Sequence, residues 1–238
     1  MPSTGPRNQL IVALDVTAMT PALRMARQVP GLVRTVKIGS ALFTACGPEA
    51  VRRLRALGFE IMLDLKFHDI PSTVAMSCRA AVRHRVSLMT LHAAGGAEML
   101  SAAAASVRAE ANRLSVPRPR LLAVTVLTSV AARRASSMTR RVVELARLAA
   151  RSGCDGIVAS AHEVRAIRRA LGRSLLIVCP GIRPAGERTG DQSRVCAPAE
   201  ALARGADALV VGRPITAARN PRAVAQRILS DMESNCRW

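Results

Sequence analysis

Eight times along this chain a short apolar run is followed by a longer amphipathic stretch, and that alternation limits the fold more than any other feature. The apolar runs fall at 10–15, 35–39, 60–66, 87–92, 121–127, 156–160, 175–180 and 208–212. Between them, 48–57, 142–151 and 164–171 carry apolar residues at spacings of three and four, which is a helical face. Pro71 and Pro221 stand where helices would open, a position at which a missing N–H costs little. Strands that are apolar without alternation are buried on both faces, so a parallel sheet covered by helices is expected. Eight such units in 238 residues fit an α/β protein of the closed (β/α)8 TIM-barrel class, a single domain over residues 1–238. An open doubly wound sheet would want a glycine-rich phosphate turn after its first strand. Asp15-Val16-Thr17 stands there instead.

Composition narrows the function classes. Half of the residues are hydrophobic, enough for a sizeable core. No apolar run is long enough to span a bilayer, and the first nine residues lack the apolar stretch of a signal peptide, so a cytoplasmic protein with no membrane partner is expected. Cys46, Cys78, Cys154, Cys179, Cys196 and Cys236 are scattered with no CxxC pair, as reduced core fillers would be. No His/Cys cluster has ligand spacing, and no metal site is expected. The formal charge of +19 invites a nucleic-acid partner. Of the 35 basic residues, however, all but Lys37 and Lys66 are arginine, and they are spread over the amphipathic stretches, as at Arg52, Arg53 and Arg55 or Arg165, Arg168 and Arg169. This pattern reads as compositional drift on solvated helix faces, and nucleic acid is not the expected partner.

In a barrel of this kind chemistry gathers at the carboxyl ends of the strands. Those ends hold Asp15, Lys37, Asp64, Lys66, His92, Thr128, Ser129, Arg183, Gly212 and Arg213. The lysines are the sharpest signal. Arginine cannot release a proton near neutral pH and lysine can, so a site that needs a proton donor keeps its lysine against the drift. Asp64 and Lys66 are two apart on one strand and share a face. At ~4 Å and an effective dielectric of ~20 their attraction is about 4 kcal/mol before desolvation. The loops after the seventh and eighth strands are a common phosphate site, and here they offer Arg183, Gln192, Gly212 and Arg213. Asp155 and Asp207, just before strands six and eight, are expected to be bottom-rim turn residues.

Taken in order, Ala13-Leu14-Asp15, Val36-Lys37-Ile38-Gly39, Asp64-Leu65-Lys66-Phe67-His68-Asp69-Ile70-Pro71, Leu91-His92-Ala93, Leu127-Thr128-Ser129, Pro180-Gly181-Ile182-Arg183-Pro184, Gly190-Asp191-Gln192 and Val211-Gly212-Arg213-Pro214 resemble the motifs of bacterial orotidine 5'-phosphate decarboxylases over nearly the whole chain. The resemblance implies a cofactor-free decarboxylation that makes uridine 5'-phosphate in pyrimidine biosynthesis. Lys66 would give a proton to C6 of the pyrimidine, and Asp64 and Lys37 would complete a charged network with it. Lys37 and Asp15 would touch the ribose, Thr128 and Ser129 would lie by the base, and Arg183, Gln192, Gly212 and Arg213 would meet the phosphate. The resemblance also implies a homodimer in which Asp69 and Ile70, with Thr73 nearby, reach the partner's site. The chain departs from the family pattern at Ser72, where Asn is usual, and at Arg85-Val86-Ser87, where a Gly-x-Asp-like turn is usual. Two other readings remain at this point: a Mg2+-dependent sugar-phosphate decarboxylase or aldolase of the same barrel superfamily, and a non-catalytic RNA-binding protein.

Overall fold

The computed structural model describes residues 5–128, 135–184 and 194–234. Eight strands form one closed parallel barrel in sequence order. They are β1 (Leu10–Ala13), β2 (Thr35–Gly39), β3 (Glu60–Phe67), β4 (Leu88–His92), β5 (Arg120–Val124), β6 (Gly156–Val158), β7 (Leu176–Cys179) and β8 (Ala208–Val211). Closure is made by β1 against β8, with Leu10 opposite Leu209 and Val12 opposite Val211. Helices cover the outside, including Pro71–Arg83 and Pro221–Ser234, which open on the two prolines noted above.

The continuous apolar runs are explained by two separate cores. Ile11, Ala13, Met62, Leu122, Val178 and Val210 fill the barrel interior. Their strand neighbours Leu10, Val12, Ile61, Leu63, Leu121 and Leu209 pack outward with the helices. Most strands are therefore apolar on both faces, whereas β2 and β4 alternate, with Lys37 and Thr90 between apolar neighbours. At the base of the interior a side chain on Gly156 would put its Cβ 2.7 Å from the Cβ of Leu176 and 2.8 Å from Cδ2 of Leu122, so only glycine fits.

Several strands end earlier than the apolar runs suggested. β1 stops at Ala13, β5 at Val124, β6 at Val158 and β7 at Cys179. The residues just beyond them include Val126, Leu127 and Ala159, which line a cavity. Apolar character alone does not distinguish a strand from a pocket wall. β3 runs one residue further than expected, to Phe67.

The bottom rim is more than a set of turns. The Asp155 carboxylate accepts the Leu121 N–H at 2.8 Å and is held by Arg118, and the Asp207 carboxylate accepts the Ile177 N–H at 2.6 Å and pairs with Arg168. Each aspartate thus ties its own strand to the one before it. Arg168 corrects the expectation of a solvated helix face: its guanidinium also donates to the carbonyls of Gly205 and Leu175, and its side chain is only 14% exposed. Burial pushes the Cys78 and Cys154 thiols up to about 12, which leaves them unreactive fillers.

Arg85, in the turn that departs from the family pattern, has a φ of 54°. That left-handed conformation costs a side-chain-bearing residue about 1–2 kcal/mol. Arg85→Gly is therefore expected to raise stability by about 1 kcal/mol, which for a chain of this length lifts Tm by ~2–4 °C. Thermal unfolding measures it, and an unchanged or lower Tm contradicts the strain.

Candidate active site

Four charged side chains form a row across the first three strands at the barrel mouth. Lys37 Nζ donates to Asp15 Oδ1 at 2.9 Å and lies 3.3 Å from Asp64 Oδ2. The same Asp64 oxygen accepts from Lys66 Nζ at 2.9 Å. The other, Asp64 Oδ1, accepts from the Thr90 hydroxyl at 2.9 Å. The middle of the row is buried, with Lys37 and Asp64 side chains each 10% exposed, while Lys66 at 35% and Asp15 at 58% face the opening. The order acid, base, acid, base lets each buried charge touch an opposite one.

Strand geometry positions these groups. Lys37 is not at a strand end as expected but in the middle of β2, level with Ala13 and Met62 on its neighbours, and it reaches up from the barrel floor. Two residues on, at Gly39, a Cβ would lie 3.1 Å from Asp15 Oδ1 and 3.3 Å from Lys37 Nζ. The missing side chain leaves room for that ion pair. The pairing of β3 with β4 shifts between Leu63 and Phe67, and inside this irregularity Lys66 has a φ of 52°. A lysine held in the left-handed region is uncommon, and such strain gathers at functional sites.

Electrostatics follows from burial and partners. Burial works against the Lys37 ammonium, but the charges of Asp64 and Asp15 outweigh it and hold its pKa above the ordinary 10.5. Burial also works against the Asp64 carboxylate, and Lys37, Lys66 and the Thr90 hydroxyl outweigh it, keeping its pKa below the ordinary 3.8. His92, whose ring centre is 5.3 Å from that of His68, is pushed below 6.5 by burial, by His68 and by Lys66, against the pull of Asp64. It is neutral at pH 7.

These residues open into a cavity of about 360 Å3. Ala13, Met62, Val124, Val158 and Val210 are its apolar lining within the strands, Val126, Leu127 and Ala159 extend that wall, and Arg183, Gly212 and Arg213 lie on the β7–β8 side. The Arg183 segment is anchored to the chain beyond it, since the Arg183 N–H donates to the Cys196 carbonyl at 3.0 Å and the Cys196 N–H to the Gly181 carbonyl at 3.2 Å. An anionic group fits the arginines, and a flat ring fits between the apolar wall and the charged row. Among the described residues no three of His, Cys, Asp and Glu are grouped to hold a metal ion.

Of the residues singled out in the sequence, Asp15, Lys37, Asp64, Lys66, Thr128, Arg183, Gly212 and Arg213 line this one cavity. Asp69, Ile70 and Thr73 do not; Asp69 and Ile70 are exposed, with Ile70 at 63%, and Thr73 sits in the first turns of the helix Pro71–Arg83. Ser129 and Gln192 lie outside the described residues. Thr90 and Gly39 were not among the expected site residues. Nothing marks Thr90 in the sequence beyond a hydroxyl inside an apolar strand. Gly39 could have been suspected from its place two residues after Lys37.

The sign of the acid's linkage to pH is fixed by its depressed pKa. The contribution of the Asp64 charge to stability is present above pH 3.8 and is lost as pH falls through the folded-state value below that. Lys37 behaves in the opposite sense: its contribution is complete below pH 10.5 and is lost as pH rises through a higher folded-state value. A carboxyl-carbon NMR titration of the folded protein is expected to find Asp64 ionised at every pH above 3.8. A midpoint higher than that contradicts the network.

Comparison with known proteins identifies the family. The model of the family described as "Orotidine 5'-phosphate decarboxylase / HUMPS family" matches residues 8–228. A Moorella thermoacetica protein named orotidine 5'-phosphate decarboxylase is 48% identical over 234 residues, covering 95% of this chain and 93% of its own. One of the same name from Halorhodospira halophila is 47% identical over 230 residues, covering 94% and 95%. The crystal structure of orotidine 5'-phosphate decarboxylase from Lactobacillus acidophilus superposes with a TM-score of 0.80 at 34% identity, covering 94% of this chain and 99% of that one. With the family model spanning nearly all of the barrel and relatives this similar over more than nine-tenths of their length, the chain belongs to the orotidine 5'-phosphate decarboxylase / HUMPS family.

Proposed function

We propose that the protein is a carboxy-lyase that converts orotidine 5'-phosphate to uridine 5'-phosphate, with Lys66 as the proton donor. The observation that carries this reading is a cavity-facing ammonium fixed by a buried carboxylate that is itself held by a second ammonium. The reaction breaks the bond between C6 and the carboxylate and leaves the electron pair on C6. Charge that is already in place at Lys66 stabilises that developing anion without reorganising at the moment of reaction. Lys66 then gives its proton to C6 and recovers one from solvent after product leaves.

The remaining roles are those that the family resemblance implies, supported for Asp15, Lys37, Thr128, Arg183, Gly212 and Arg213 by their place in the cavity lining. Asp15 and Lys37 meet the ribose hydroxyls. Thr128 binds the pyrimidine edge against the apolar wall, and the resemblance assigns Ser129 to the base with it. Arg183, Arg213, Gln192 and the backbone of Gly212 take the phosphate, and that distant binding energy contributes to the chemistry at the ring. The residues of this row supply the charge themselves, and neither a metal nor a cofactor is required by the steps above. The arginine-rich surface is read as solvated helix faces, with no nucleic acid as partner.

Asp69 and Ile70 complete the site across a homodimer, with Thr73 beside them. What supports this is their place at the end of β3 outside their own chain's cavity, together with an exposed apolar surface at Ile70 and at Met76, which is 54% exposed. A carboxylate brought next to the substrate's own carboxylate would favour its departure. The protein works in the cytoplasm, a reading supported, among the described residues, by five cysteines that are all free and by the lack of a helix long and apolar enough to cross a membrane.

Purified protein is expected to lower the absorbance of orotidine 5'-phosphate at an unchanged rate with or without EDTA. Lys66→Ala should cut kcat/KM by about 10^3-fold or more with the fold intact by circular dichroism. Asp69→Ala should be similarly impaired, and an equal mixture of the two variants after subunit exchange should recover about a quarter of the activity, since half of the dimers then carry one intact site. No turnover by folded wild-type protein overturns the reading. Turnover abolished by EDTA favours the Mg2+-dependent sugar-phosphate class, and no recovery on mixing removes the shared site.

A further inference from the structure

β3 and β4 do not stay in register around Lys66, near the end of β3. Leu63 is opposite Met89 and Phe67 is opposite Leu91, so four steps along β3 are matched to two along β4. The extra residues bulge, and within the bulge Lys66 takes its left-handed φ of 52°. A bulge of this kind takes backbone N–H groups away from the ladder, and a buried N–H needs a partner.

The partner here is a side chain. The Lys66 N–H donates to the Thr90 hydroxyl at 2.9 Å, and that hydroxyl donates in turn to Asp64 Oδ1 at 2.9 Å. Thr90 is fully buried in β4, with no access to solvent that could replace either bond. One hydroxyl therefore fixes both the backbone that aims Lys66 and the carboxylate that holds its ammonium. Asp64 Oδ2, left for the two lysines, is fixed in orientation because Oδ1 is engaged.

We propose that Thr90 is a positioning residue for the proton donor: its hydroxyl locks the bulge at Lys66 and the rotation of Asp64 together, so that the ammonium points into the cavity before substrate arrives. The proposal rests on the reading of Lys66 as the donor. It adds a residue that never meets substrate and acts only through Asp64 and Lys66. Serine can do the same work, because it keeps the hydroxyl. Valine cannot, because it keeps the shape and the branch but leaves the Lys66 N–H and one Asp64 lone pair without a partner.

Two readouts test it, one independent of turnover. Lys37 and Lys66 are the only lysines of the chain, so protein labelled with 13C at lysine Cε gives two resonances. In Thr90→Val the Lys66 resonance is expected to move and broaden, and in Thr90→Ser to stay near its wild-type position. Turnover of orotidine 5'-phosphate is expected to fall about 10–100-fold in kcat for Thr90→Val, with KM changed by no more than about twofold, and to be largely restored in Thr90→Ser. A merely structural threonine would lower Tm without separating kcat from KM or moving the Lys66 signal of the folded protein. A wild-type Lys66 resonance together with wild-type kcat in Thr90→Val overturns the proposal, as does a serine variant as impaired as the valine one. Should wild-type protein fail to turn over this substrate, the functional reading fails and the resonance alone decides the role of Thr90.

Discussion

The site depends on one carboxylate shared by two ammonium groups. Asp64 is buried, and a lone charge in that position would be costly to keep ionised. Lys37 is equally buried and would be costly alone too. Each makes the other tolerable, and Lys66 completes the pairing from the open side of the cavity. Removing the shared carboxylate would leave the buried Lys37 with only the exposed Asp15, and breaking a buried pair costs about 3–5 kcal/mol, whereas an intact one contributes little net stability. The arrangement is therefore better explained by function than by stability, and on the proposed reading it holds a positive charge where negative charge develops.

The barrel provides what this arrangement needs. Its interior is filled to the level of Met62 and Val210 by apolar side chains, so the buried Lys37 and Asp64 stand on an apolar floor and their mutual field is weakly screened. Parallel strands bring Lys37 from β2 and Asp64 from β3 beside Asp15, which lies two residues past the end of β1. Local exceptions then refine the placement. Gly39 makes space for the Asp15–Lys37 pair, and the bulge at Lys66 turns that residue out of the strand while Thr90 satisfies the backbone it leaves behind. The arginines that suit a phosphate sit on neighbouring loops, with Arg183 anchored through Cys196.

Much of this was legible in the sequence, for definite reasons. Apolar runs without alternation mean strands buried on both faces, and the two cores around Ile11 and Leu10 are the cause. Two lysines kept among so many arginines pointed to the charged row, and both belong to it. The ends of β1, β5, β6 and β7 were not legible, because the apolar chain continues from strand into pocket wall. Arg168 looked like one more solvated arginine, since its partner Asp207 is 39 residues away and nothing local announces the contact. Thr90 was silent for the same reason: its two bonds reach back 24 and 26 residues. Long-range pairs of this kind are set by register and bulge, which spacing along one strand does not encode.

Whether Lys66 acts as a proton donor, and not only as a positive charge, is tested most directly by the single-turnover rate of Lys66→Arg on orotidine 5'-phosphate. Arginine preserves the charge beside Asp64 but does not release its proton near neutral pH. The account predicts a rate lower than wild type by about 10^3-fold or more, with the substrate still bound. A rate within about tenfold of wild type would contradict it, because charge alone would then suffice.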